Sequence, residues 1–254
     1  MTTNLKFTAC GGTHVGKVRA GNQDAFLSDE KKKLFVVADG MGGHAGGEIA
    51  SSLAVSGIDL FIQENSGFIL GGGLTHPDAR ISSVMADAIN HASTKIYERA
   101  LEEPSLKGMG TTATVLKIID NWAYCSHVGD SRLYLIRAGF IYQMTNDHSL
   151  VSEQVRAGII TKEEAELHHL RNVITRSVGY QEEEDVDTAS FRLEDNDIML
   201  LCSDGLHGKV NDKELSLLAT ENGTQAVDKF IALANERGGD DNITVVIVKA
   251  QVST

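Results

Sequence analysis

Three aspartates stand where apolar segments end or begin. Asp39 closes "LFVVADG", Asp204 closes "MLLCSDG", and Asp241 precedes the apolar run of "GGDDNITVVIV". A carboxylate at such a boundary loses hydration, so it must be ion-paired, hydrogen-bonded or bound to a cation. If these acids converge, they repel one another unless a divalent ion lies among them. Oxygen donors favour hard ions such as Mg2+ or Mn2+ over zinc, whose preferred Cys and His are not clustered in this chain. The low bulk of "GMGGHAGGE" after Asp39 leaves room for backbone oxygen and metal-bound water to approach. One Asp-Gly after a strand is ordinarily a turn; its recurrence beside apolar runs points to metal chemistry. Other phosphate chemistries fail on spacing. The loop lacks the Gly-Lys-Ser/Thr ending of a P-loop and the glycine placement of a dinucleotide fingerprint. There is no G-x-S-x-G elbow, and no Asp two residues before Asp39 to act as an aspartyl-phosphate nucleophile. Covalent catalysis is not indicated.

The elements that must position these acids can be read from period. "KLFVVADG" reads as a buried strand, and Ile49, Leu53, Ile58, Phe61 and Ile62 then recur at helical spacing. A second helix is expected from near His76, with Pro77 in its first turn, to a stop at Pro104, and Gly71 to Gly73 mark the turn between the two. "GTTATVLKII", "WAYCSHVGDS", "RLYLIRAG" and "FIYQMT" read as one antiparallel meander. From His148 to about Glu184 the pattern is polar and weakly periodic, as expected of an inserted, partly helical surface excursion. Strands return at "DTASFRL" and "DIMLLCSDG", then two helices at "NDKELSLLAT" and "TQAVDKFIALANERG", then a last strand, "NITVVIVKA". Strands and helices in blocks imply an α+β domain of antiparallel sheets covered by helices, spanning residues 1–254 as one unit.

Composition narrows the partners. A net charge of −12 argues against a nucleic-acid surface, which needs clustered Lys and Arg. "MTTNLKFTAC" has no basic region followed by an apolar stretch, and no segment approaches the roughly 20 apolar residues that cross a bilayer, so no membrane association is expected and the cytoplasm is the expected location. Cys10, Cys125 and Cys202 are odd in number and far apart, which fits small core residues better than disulfides or zinc ligands.

"RAGNQDAF", "VVADGMGGHAGGE", "GTTATV", "SHVGDSRLYLIRAG", "TNDHS", "LCSDGL" and "GGDDNITVVIV" together resemble the metal-dependent protein phosphatases of the type 2C (PPM) family, particularly its compact bacterial members. The resemblance covers nearly the whole chain. It implies a four-layer αββα sandwich and hydrolysis of phosphoserine and phosphothreonine in proteins, without a phosphoenzyme. It implies two Mn2+ or Mg2+ ions, bridged by Asp39, with the Gly40 carbonyl completing one site and Asp204 and Asp241 the other. Asp130, with Asp204, matches the acid that holds a third ion in bacterial members. Asp24 resembles the acid that holds metal-bound waters from behind the ligands, and Arg19 the arginine that grips the substrate phosphate through its planar donor fork. The attacking group is then a water bridging the two ions, deprotonated near neutral pH.

The chain departs from the eukaryotic members in having Met41 where they have His and Gln23 where they have Glu. The proton donor to the leaving alkoxide is therefore open between His44 and a metal-bound water. The resemblance also implies phosphoprotein substrates, an opposing serine/threonine kinase, and a flap, from about His148 to Glu184, that sets substrate choice; a monomer is the simplest expectation. His148 is expected to anchor the flap rather than bind metal. A hydrolase of small phosphoesters and a non-catalytic binding protein of the same fold are the rival readings.

Overall fold

The computed structural model describes residues 4–43, 45–69 and 74–252. One sheet contains, in spatial order, β1 (Leu5–His14), β11 (Ile243–Val252), β10 (Ile198–Cys202), β7 (Arg132–Arg137) and β8 (Phe140–Gln143). The other runs β2 (Asp24–Asp29), β3 (Leu34–Met41), β5 (Ala113–Ile119), β6 (Trp122–Val128) and β9 (Asp187–Arg192), with the short β4 (Gly110–Thr111) beside β3. Every pairing within both sheets is antiparallel.

Strand alternation explains the layering. On β3, Leu34, Val36 and Ala38 face helices α1 (Gly46–Glu64) and α2 (Ala79–Glu102). Phe35 and Val37, with Leu116 of β5 beside them, face the other sheet, where they meet Leu133, Leu201 and Val246. The opposite face of that other sheet, the one containing β10 and β11, packs Leu200, Val245 and Ile247 on α6 (Asp212–Asn222) and α7 (Ala226–Glu236). Both faces of each central strand are therefore apolar, which is why these strands read as continuous runs. The result is two antiparallel sheets face to face, with helices on both outer sides.

The expected single meander divides between the sheets. β6 ends in one sheet and β7 begins in the other, with Gly129, Asp130 and Ser131 turning the corner. β1 and β2 were not expected at all: β1 is an edge strand whose alternate residues are exposed, and Cys10 lies exposed on it, unlike the buried Cys125 and Cys202. Helix α2 starts later than Pro77 suggests, because Asp78 caps it by accepting from the Arg80 amide. The Asp78 amide is in turn held by the Tyr124 hydroxyl at 2.9 Å. Gly71 to Gly73 lie outside the described residues. Among the described residues, no helix is long and apolar enough to cross a membrane.

The excursion is exposed over most of its length and contains α3 (Leu150–Arg156) and α4 (Lys162–Glu166), the latter closed by a Thr161/Glu164 capping box. Near its end the excursion dips into the core before residues 180–183 return to the surface. Val178 is fully buried and bridges to Thr111, and the Ser93 hydroxyl of α2 accepts from the Gly179 amide and donates to the Gln181 carbonyl. Gly179 has φ +93°, and a Cβ there would lie 2.1 Å from Ile96 Cγ2. Gly179→Ala therefore combines overpacking with a left-handed backbone; we expect a loss of about 1–3 kcal/mol, read from the urea midpoint.

Candidate metal centre

Asp39 is the sixth residue of β3 and shares the inter-sheet face of Phe35 and Val37, so its carboxylate points into the end of the layer between the sheets. Its backbone is fixed on both sides. The Thr112 hydroxyl accepts from the Asp39 amide at 2.9 Å, and the Asp39 carbonyl accepts from the Thr112 amide and the Thr111 hydroxyl. The next residue must be glycine: a Cβ on Gly40 would stand 2.1 Å from the Gly47 carbonyl oxygen. The glycines after Asp39 thus let the first turn of α1 sit directly on β3, a packing reason for the missing bulk that sequence alone did not expose.

Asp24 lies directly opposite Asp39 across the β2–β3 pairing. Its Oδ2 accepts from the hydroxyls of Ser203 at 2.9 Å and Thr244 at 2.7 Å, both from the other sheet's side of the sandwich. Asp204 opens the short helix α5 (Asp204–His207) just beyond β10, and Asp241 precedes β11. The Asp39 carboxyl is within hydrogen-bonding reach of both Asp24 and Asp204, and Asp130 and Asp241 act on it electrostatically. The five acids taken from distant segments therefore converge at one end of the sandwich. Arg19 reaches the same place, its Nη2 donating to Asp241 Oδ2 at 2.7 Å.

Burial is the main reason these groups resist ionisation, and mutual repulsion adds to it. Asp24 and Asp204 are each pushed up to about 6, Asp130 up to about 7, and Asp39 well above the ordinary carboxylate range. Asp24 Oδ1 and Asp204 Oδ1 are buried without a hydrogen-bonding partner. Acceptors left facing acceptors in a desolvated hollow are what a divalent cation satisfies, and all-oxygen donors suit Mg2+ or Mn2+. Among the described residues no three carboxylate, thiolate or imidazole groups form a ready-made cage. An ion here would complete its shell with a backbone carbonyl, such as that of Gly40, and with water, as Mg2+ habitually does.

Several supporting residues were not singled out by sequence reasoning. His207, on the same helix as Asp204, is buried and held neutral by desolvation, its pKa pushed down to about 3, with Nε2 at 3.1 Å from the Asp130 carbonyl. Arg132 grips Asp147 through both carboxylate oxygens behind the Asp130 corner. Asn242 ties down the segment bearing Arg19. Asn242 and His207 lie one and three residues from predicted ligands, but adjacency alone does not say what a side chain touches. His148 accepts from the Gly129 amide through Nδ1, and its backbone bonds to Gly129 and Thr175, so it anchors the start of the excursion. His168 and His169 stack on one another, centroids 4.7 Å apart. Asp240 pairs with Lys209. His44 lies outside the described residues.

The family model "Protein phosphatase 2C" matches residues 11–244. Protein phosphatase PhpP of Streptococcus pneumoniae is 38% identical over 247 residues, covering 93% of this chain and 94% of that protein. The crystal structure of the Mycobacterium tuberculosis serine/threonine phosphatase PstP/Ppp superposes with a TM-score of 0.83 at 33% identity, covering 98% of this chain and 99% of that one. The catalytic domain of the serine/threonine phosphatase PstP in complex with 2 manganese ions gives a TM-score of 0.84 at 31% identity, over 97% and 99% of the two chains. With sequence matched over most of its length and the sandwich shared throughout, the chain belongs to the protein phosphatase 2C family.

Proposed function

We propose that the metal-dependent serine/threonine phosphatase activity of this chain resides in the acidic hollow at the end of the sandwich. Two Mn2+ or Mg2+ ions would be held by Asp39, the Gly40 carbonyl, Asp204 and Asp241, and a third by Asp130 with Asp204. The observation that carries this reading is the convergence of desolvated, mutually repelling carboxylates beside one exposed guanidinium. Bound divalent ions supply Lewis acidity and bring the pKa of coordinated water toward neutrality. The chain's own residues do the rest. Asp24, fixed by Ser203 and Thr244, keeps an oxygen directed at the hollow from behind. Arg19, its side chain 54% exposed, is free to turn its fork from Asp241 to an incoming phosphate.

The proton for the leaving serine or threonine oxygen is assigned to His44. His207 is unsuited to that task, being neutral, buried and engaged with the Asp130 carbonyl. We further infer that the chain works as a monomeric, cytoplasmic phosphatase reversing the action of a serine/threonine kinase, as one domain, with the exposed part of the excursion choosing among phosphoproteins.

Asp39→Ala and Asp204→Ala should each lower hydrolysis of an aryl phosphate with Mn2+ by more than about 100-fold, beyond the 10–100-fold usual for residues that only support a ligand. Both should also lose the rise in unfolding temperature that Mn2+ gives the wild type. The acids make that rise depend on pH. Because their folded pKa values lie above the ordinary 3.8, their contribution to metal-free stability is present in acid and lost as pH climbs through about 6 and 7. His127 and His207, pushed down to about 4 and 3, act in the opposite sense, losing stability as pH falls below 6.5. The increment on adding Mn2+ isolates the acids, since the ion displaces their protons; it should be larger near pH ~7.5 than near pH ~5.5, and an equal increment would refute proton competition.

His44→Ala should slow phosphopeptide hydrolysis by about 100-fold or more while scarcely changing an aryl phosphate whose leaving group needs no proton. Replacing residues 150–176 with the corresponding stretch of another family member should change which phosphopeptides are cleaved but leave aryl phosphate turnover intact; unchanged selectivity would remove the excursion from substrate choice.

A further inference from the structure

The connection from β1 to β2 carries Arg19 and looks, from its exposure, like a loose loop: Val18 is 68% exposed and the Arg19 side chain 54%. Its backbone is nevertheless fastened at both ends by one side chain. Asn242, 4% exposed, donates through Nδ2 to the Val15 carbonyl at 2.9 Å and the Gly21 carbonyl at 3.0 Å, and its Oδ1 accepts from the Gln23 amide at 2.8 Å. Both amide hydrogens and the carbonyl of the side chain are thereby engaged. The Lys17 amide donates to the Gly239 carbonyl at 2.7 Å, a further tie to the segment before β11. Residues 15–21 thus form an arch whose feet stand on Asn242 and whose crown bears Arg19. The same residue's own amide donates to Asp241 Oδ1 at 2.9 Å, while Arg19 holds Asp241 Oδ2.

We propose that Asn242 is a positioning residue for substrate binding, closing the 15–21 segment into a rigid arch that presents Arg19 to the phosphate. This rests on the reading of Arg19 as the phosphate grip. An arginine side chain has many rotamers; fixing its Cα over the acids reduces what must be ordered when phosphate arrives. No other side chain of similar size reproduces the clamp. Aspartate keeps the acceptor for Gln23 but sets a second oxygen against two carbonyls, and alanine leaves all three backbone groups without their partner.

The test uses the full chain, a phosphothreonine peptide, Mn2+ titration and amide hydrogen exchange. Asn242→Asp, close to isosteric, and Asn242→Ala should each lower kcat/KM for the peptide by roughly 10–100-fold, mainly through KM. Amides of residues 16–22 should exchange faster while those of β3 and β10 do not, and the Mn2+ concentration for half-activation should move less than about twofold. In the double variants with Arg19→Ala, kcat/KM should fall no further than in Arg19→Ala alone, within about threefold. Losses that multiply, a Mn2+ requirement rising in step, or normal exchange in the arch would each overturn the proposal, the first by showing that Asn242 acts independently of Arg19 and the second by showing that it acts through Asp241. Arg19→Ala at wild-type kcat/KM would sink the phosphate-grip reading and this proposal together. Impaired Arg19→Ala with normal Asn242 variants would sink the proposal alone.

Discussion

Repulsion among buried carboxylates is the constraint around which this molecule is arranged. Asp24, Asp39, Asp130 and Asp204 sit where solvent cannot separate their charges, and each is driven toward its neutral form by burial first and by its neighbours second. Left to themselves such groups destabilise a fold. They are kept in place because each is attached to backbone that has no alternative position: Asp39 in the middle of a paired strand, Asp24 opposite it, and Asp204 at the first turn after β10. The hollow is a strained electrostatic arrangement held by a well-packed sandwich, the combination expected where a cation is to be received.

Hydrogen bonds between layers serve the same end. Ser203 and Thr244, from the ends of β10 and β11, both donate to Asp24 on β2, so one carboxylate fastens the two sheets where they meet. The Thr112 and Ser131 hydroxyls, 2.8 Å apart, join the strand carrying Asp39 to the corner carrying Asp130. Behind that corner, Arg132 and Asp147 form a largely buried pair with Tyr134, and the main-chain carbonyl of Asp147 also accepts from Arg156 of α3. A continuous set of polar contacts therefore runs from the acids to the base of the excursion.

Much of this could be seen in the chain before folding. The central strands β3, β10 and β11 announce themselves because both faces are buried over most of their length and they carry long apolar runs, and the acids stand out against that background. β1 and β2 escaped notice because an edge strand is polar on one face and short on aliphatic residues, so "LKFTACGGTH" carries little signal. The division of the meander between two sheets was equally hidden. Nothing in "VGDSR" distinguishes a hairpin from a corner that changes sheets, since the difference lies in the positive φ of Gly129 and its contact with Thr112. The three aspartates at the ends of apolar runs stood out as candidates for metal chemistry. The roles of Asn242, which clamps the segment bearing Arg19, and His207, which meets the Asp130 carbonyl, were not legible, because they depend on partners more than 70 positions away.

The corner between β6 and β7 has one more implication. Asp130 and Arg19 both ride on connections that pass from one sheet to the other, whereas Asp39 and Asp24 are fixed within a single sheet. The thickness of the apolar filling between the sheets, set by side chains such as Phe35, Leu116, Leu135 and Met199, is thus a ruler for the distance across the hollow. A change of one methylene deep in that filling alters the spacing of groups it never touches, so evolution can tune the centre from its foundations without replacing a single acid.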